Sequence, residues 1–223
     1  MDRLGNLLHR PRAYCNIDGV GELGIGFICL AYALLQWLQV HSPRNSMWNQ
    51  MYTLFIYVGV MCAITHYGTK AIKNRFTYPR TGFVSYRKRD TVWIPLIVGC
   101  ATGALVSAGL VMASRSHWNM TTPTALIGLV FAAAYAYGIA RTARWKWAVV
   151  WVMAFGSVVI AFLPPDVLGS LARGSWVTHL FPANFVGAFL LCMALYGSLL
   201  LVSGAISFWL YLRATPIPSK DPE

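Results

Sequence analysis

From Asn184 to Leu212 the chain runs for 29 residues without one Asp, Glu, Lys, Arg or His. No other feature restricts the fold as much. A bilayer core about 30 Å thick is crossed by roughly 20 helical residues. Lipid offers no partner to an exposed backbone group, so a segment of this kind is helical or belongs to a closed barrel. The run is too long and too uniformly apolar for alternating barrel strands. Five further runs have the same character, at approximately 19–40, 47–69, 91–113, 121–140 and 147–163. The fifth is short and stops at Pro164-Pro165, whereas the sixth, 184–212, is long enough to tilt or to project beyond the bilayer. The expected fold is therefore all-α, an integral membrane bundle of six transmembrane helices. Residues 1–18 form a basic arm, 19–212 the membrane domain and 213–223 a polar, proline-rich tail. The first run lacks a small-residue cleavage site and reads as an uncleaved membrane helix rather than a signal peptide.

Charge supports this division and gives it a direction. Only 11% of the 223 residues are charged and 57% are hydrophobic, against about 25% charged in a soluble domain. The formal charge is +11, from 18 Lys plus Arg and 7 Asp plus Glu. The cations lie in short clusters between apolar runs, the pattern of a membrane protein and not of a nucleic-acid binder. With six spans, fifteen of the cations fall on one side and three (Arg44, Arg115 and Arg173) on the other. Positive residues stay on the cytoplasmic side, so both termini are expected there.

The largest basic cluster is KAIKNRFTYPRTGFVSYRKRD, residues 70–90, with seven Lys or Arg and one acid, Asp90. Near an anionic leaflet each such cation contributes about 1 kcal/mol of attraction. Aromatic and β-branched residues flank Pro79-Arg80-Thr81-Gly82, which favours a short hairpin with a four-residue turn. Proline also pushes Tyr78 away from helix. Arg80 at the tip would then reach lipid phosphate or a partner. The run Phe76 to Val84, FTYPRTGFV, resembles a loop signature, T-Y-P-R-x-G-[YF]-V, of bacterial multi-pass membrane proteins that carry no assigned reaction. The resemblance covers about ten residues. It implies a similar helical bundle and a structured loop, and with them a bacterial cytoplasmic (inner) membrane.

Ionisable residues inside a membrane are costly and mark function, and the interiors of spans three to six have none. That weighs against an ion pump and against a proton-coupled transporter. Glu22 and His66, near the cytoplasmic ends of spans one and two, form a candidate titratable pair. Separately, Glu22 suits a helix N-terminus beside a capping Asp18, and His66 suits an interface. His41, His117 and His179, one in each external loop, are a low-ranked metal set. Interface Trp and ordinary loop polarity explain those loops better. Of five cysteines, Cys29, Cys62, Cys100 and Cys192 sit in apolar runs and Cys15 in the arm. No C-x-x-C spacing occurs, so neither a disulfide framework nor a zinc site is expected. Gly99, Gly103 and Gly109 in span three, and Gly197, Ser198, Ser203, Gly204 and Ser207 in span six, permit close helix approach. They serve internal packing or, on the sharper reading, a homo-oligomer or membrane partner protein.

No catalytic motif is present, and no cofactor is expected. The function these features favour is an accessory or interaction subunit without chemistry of its own. It would bind anionic lipid or a partner through Arg75, Tyr78, Arg80, Arg87, Lys88 and Arg89. Two alternatives stand beside it. One is a small permease or channel for a neutral or lipid-like substrate, lined by Gln36, Thr65, Thr102, Ser107 or Ser157. The other is a lipid-acting membrane enzyme that uses His66 or Glu22.

Overall fold

The computed structural model describes residues 18–43, 45–81, 121–138, 143–173 and 183–215. These residues are helical, with no strand among them. Helix α1 spans Val20–His41 and is followed by a 3₁₀ turn, Met47–Asn49. Helix α2, Met51–Ile72, runs on through a π-turn, Lys73–Thr77, into the one-turn helix α3, Tyr78–Thr81. Helices α4 (Thr121–Gly138) and α5 (Lys146–Ala161) come next. A bend of 100° then leads into the short α6, Pro165–Ala172. The long α7, Ala183–Ala214, closes the order. By length and apolarity α1 and α7 can each cross a bilayer, and α5 with α6 makes a third if the bent pair counts as one span. The expected spans at 19–40, 47–69, 121–140, 147–163 and 184–212 each coincide with a helix. The one at 91–113 lies outside the described residues.

Helices α1 and α7 form an antiparallel pair at backbone contact. A methyl group on Gly26 would sit 2.9 Å from the Gly197 carbonyl, and one on Gly204 would sit 2.8 Å from the Leu23 nitrogen. Tyr32 meets Phe189 edge-to-face further along. This is the close approach that small residues allow. The pair starts at Gly19, whose φ of 70° is left-handed and whose Cα faces the Gly204 carbonyl, so any side chain there is both strained and blocked. Of the small residues noted in the last span, Gly197, Ser203, Gly204 and Ser207 are buried, while Ser198 is exposed and bonds the Ala194 carbonyl.

A second antiparallel pair, α4 with α5, packs around Gly128, where a side chain would strike Ser157 and Tyr196. The two pairs meet in a core of Ala132 and Tyr135 from α4, Val150 and Met153 from α5, and Cys192, Tyr196 and Leu200 from α7. Cys29 and Ala33 of α1 and Met193 of α7 form a separate core, against which Phe131 of α4 also packs. Both buried cysteines are free thiols that act as apolar fillers; Cys62, on α2, is free and exposed.

The expected hairpin does not form in its described part. Phe76, Thr77 and Tyr78 are helical, and Tyr78 has φ −65° and ψ −37° although a proline follows it. Tertiary contacts override β-propensity here. The Thr77 hydroxyl donates to Asp18 Oδ2 at 3.2 Å. The Tyr211 hydroxyl donates to the Thr77 carbonyl at 3.2 Å, and Phe76 stands edge-to-face on Phe208. Pro79, which has no N–H to give to a helical ladder, follows directly on the π-turn.

Candidate functional site

Glu22 stands in the first turn of α1 and is 1% exposed. A carboxylate so deep needs partners, since an unpaired buried charge is prohibitive. Three helices supply them. Lys146, the first residue of α5 and equally buried, makes an ion pair with Glu22 Oε1. Ser203 of α7 donates to Oε2. The Tyr135 hydroxyl of α4 lies 3.1 Å from Oε2 and 2.9 Å from Ser203 Oγ, so its single proton serves both acceptors. The Lys146 ammonium also stands 5.8 Å from the centre of the Trp145 ring.

The setting of the two charges is unequal. A carboxylate at a helix N-terminus meets the positive end of the macrodipole, whereas a cation there is opposed by it. Glu22 is favoured by α1, and Lys146 is disfavoured by α5. Lys146 is therefore held inside by Glu22 and by little else from its own helix. Two to three turns further along α7 and α5 a second polar contact joins the two helices. Ser157 donates to the Met153 carbonyl at 2.6 Å and shares a hydrogen bond with Tyr196, both side chains having no exposed surface.

A second cluster closes the end of the bundle where α1 begins. Asp18, 1% exposed, accepts from the Val20 amide at 3.2 Å, holds Thr77, and lies 3.6 Å from the Lys73 ammonium. Arg80 Nη1 donates to the carbonyls of Leu212 and Thr215 at 2.8 and 2.7 Å. It thereby satisfies carbonyls that the end of α7 leaves open, and places a cation at the negative end of that helix.

The sequence-derived sites fare differently. Glu22 and His66 are not brought together: Glu22 pairs with Lys146, and His66 is exposed with its ring 5.4 Å from that of Tyr67. Glu22 turns toward α7 and α5, while α2 lies against Gly24 through Thr65 and Thr69. Arg80 is engaged by α7 rather than free at a loop tip. Arg75 is exposed and Tyr78 half-buried; Arg87, Lys88 and Arg89 lie outside the described residues. His41 donates from Nδ1 to the Trp37 carbonyl at 2.9 Å and stacks on the Trp37 ring. His117 and His179 also lie outside the described residues. Of the proposed cavity residues, Gln36 donates to the Tyr32 hydroxyl at 3.0 Å, Thr65 bonds the Met61 carbonyl, and Ser157 bonds Tyr196. Thr102 and Ser107 lie outside the described residues. Lys146, Tyr135 and Ser203 were missed. Lys146 reads in sequence as one of three cations in a basic linker, and a hydroxyl partner leaves no signature.

Fold and clusters define a class: a helical bundle of membrane-protein type, sealed at one end by a polar clasp and carrying an ion pair in its interior. No known family model, curated protein or solved structure matches the chain.

Proposed function

We propose that this chain is a six-span protein of a bacterial cytoplasmic membrane, both termini inside. In this reading it is an accessory subunit whose basic segment, 70–90, binds anionic lipid headgroups. The clasp carries the reading. Asp18, Tyr211 and the end of α7 hold residues 73–80 to the bundle, so the adjoining cations are presented from a fixed support. Lys70 and Arg75 are exposed on it. A preordered cationic surface loses little entropy on binding, and each cation near an anionic leaflet adds about 1 kcal/mol. Both carboxylates near this end, Asp18 and Glu22, are already neutralised by Lys73 and Lys146, which leaves the surface net positive.

Helix direction supports the span count. The C-terminal end of α2 and the C-terminal end of α4 both lie where α1 begins, as the Thr77–Asp18 and Tyr135–Glu22 contacts require. Two helices that end on one side need a return crossing between them, and the apolar run 91–113 is long enough to make it.

The test is mass spectrometry of lipids retained by the full chain in polymer-excised membrane discs. Anionic phospholipid is expected to be enriched over the bulk membrane. Replacing Lys70, Arg75, Arg87, Lys88 and Arg89 by Gln should return the ratio to that of the bulk. Bulk composition around the unaltered protein would refute the lipid role; enrichment of a co-purifying protein instead would assign the segment to a partner. A second reading, the small permease, draws on the polar contacts between the helix pairs.

A further inference from the structure

Helix α6 lies across the helix that precedes it. The chain bends by 100° after α5, and α6 then packs on α7, where a side chain at Gly187 would strike the Leu168 carbonyl. It also touches α1. Leu168 and Ala172 are buried against these neighbours. At about 100° per residue, Val167 and Leu171 share one flank of α6, and Asp166 and Ser170 lie on the side away from it. On α5 an exposed apolar ridge, Trp151, Phe155, Val159 and Phe162, leads to the bend. Phe162 is 77% exposed, and Val167 just beyond it is 49% exposed.

Helix α7 supplies the scale. Gly187 marks the level of α6, and Ser207 faces Gly19 at the end that the clasp closes. The helix between these two residues is about 30 Å long, the thickness of a bilayer core. An exposed tryptophan stands at each level. Trp209 follows Ser207 and has the Arg213 guanidinium 5.5 Å from its ring centre. Trp37 lies beyond Tyr32, which meets Phe189, and so comes near the level of Gly187. Tryptophan collects at membrane–water boundaries.

We infer that α6 lies flat in the membrane interface opposite the clasp and that lipid is its partner. Phe162 and Val167 enter the acyl chains, while Asp166, Ser170 and Arg173 stay among the headgroups. Amphipathic helices lie in this plane with their apolar side about 5–10 Å into the headgroup–acyl boundary. The bend is what puts α6 there. Helix α5 has 16 residues, about 24 Å, and the chain turns once it nears the boundary instead of leaving the membrane. The inference rests on the membrane reading above. It does not depend on lipid binding by residues 70–90, nor on which side is cytoplasmic.

The experiment is electron paramagnetic resonance of nitroxide-labelled single cysteines in a cysteine-free full chain in lipid discs. Oxygen and a water-soluble nickel chelate serve as the two colliders. Val152→Cys, exposed on α5, is the lipid reference, and Arg75→Cys is the water reference. Val167→Cys should favour oxygen over nickel several-fold more than Asp166→Cys, and Phe162→Cys should agree with Val167→Cys. Asp166→Cys should stand near the water reference. These side chains are all exposed, so the labels open no buried contact. Should Asp166→Cys fail to fold, Ser170→Cys takes its place. Water values at both 166 and 167 would overturn the inference, since α6 would then stand clear of lipid. Lipid values at both would overturn it too, because α5 and α6 would form one bent span. Shielding of both from both colliders would give the surface to a protein partner instead. Val152→Cys at the water value would remove the membrane reading and the inference with it.

Discussion

Tyr135 contributes one hydroxyl, and that hydroxyl is shared between Glu22 and Ser203. Its value comes from the ionised acceptor. A hydrogen bond to a charged group contributes about 1.5–3 kcal/mol, against about 0.5–1.5 for a neutral one. Tyr135→Phe keeps the ring in its apolar core and removes only that donor. It should destabilise the protein by about 1.5–3 kcal/mol, read as a lower midpoint of thermal unfolding in mild detergent. Tyr196→Phe, whose partner Ser157 is neutral, should cost less, about 0.5–1.5 kcal/mol. Equal shifts for the two variants would mean that the Glu22 cluster is no different from an ordinary buried hydroxyl pair. Glu22 itself was visible in the sequence, as a carboxylate at the edge of an apolar run. Its partners were not. Residues 113 and 124 positions away carry no mark of proximity when only one chain is read, and His66 is a candidate partner only because the expected spans put it at a similar depth.

Among the elements, the apolar helices were readable from the length of the uncharged runs, and α1 and α7 keep nearly the expected bounds. The basic segment was misread because its local preferences point one way and its tertiary contacts another. Phe76-Thr77-Tyr78 has strand-like composition, but Asp18, Phe208 and Tyr211 draw it into helix. The adjustment appears as the π-turn Lys73–Thr77, a form that inserts one residue into a helix and recurs at functional positions. Its far side is fastened by Arg80 to the last turn of α7. Arg80→Ala should leave the Leu212 and Thr215 carbonyls without that donor and let the end of α7 fray. Amide exchange at Thr215, whose N–H bonds the Tyr211 carbonyl at 3.0 Å, should accelerate by about tenfold or more. Exchange near Gly197, in the middle of the pair, should stay as it was. Arg80→Lys keeps the charge but not the fork of donors, so it should recover only part of the protection.

For the whole molecule, the orientation proposed above rests on where its cations stand once the helices have been given directions. Lys70, Lys73, Arg75, Arg80, Arg144, Lys146 and Arg213 belong to the ends of α2, α5 and α7 and to the turns beside them, which gather at the start of α1. Arg173 follows α6 at the other end. With the positive-inside tendency, this polarity is the ground for the proposal that the cationic end lies inside. Single cysteines in a cysteine-free chain test the whole scheme at once. Arg75, Arg144 and Arg173 are exposed, so a cysteine at each is open to reagent without disturbing a contact. A membrane-impermeant maleimide added to intact cells should label Arg173→Cys and spare Arg75→Cys and Arg144→Cys until the membrane is broken. On the proposed six-span scheme, Arg115→Cys should behave like Arg173→Cys. Labelling of positions 75 and 115 from the same side would remove the proposed return crossing. The two halves of the chain would then have opposite polarity, and the cations would no longer share a face.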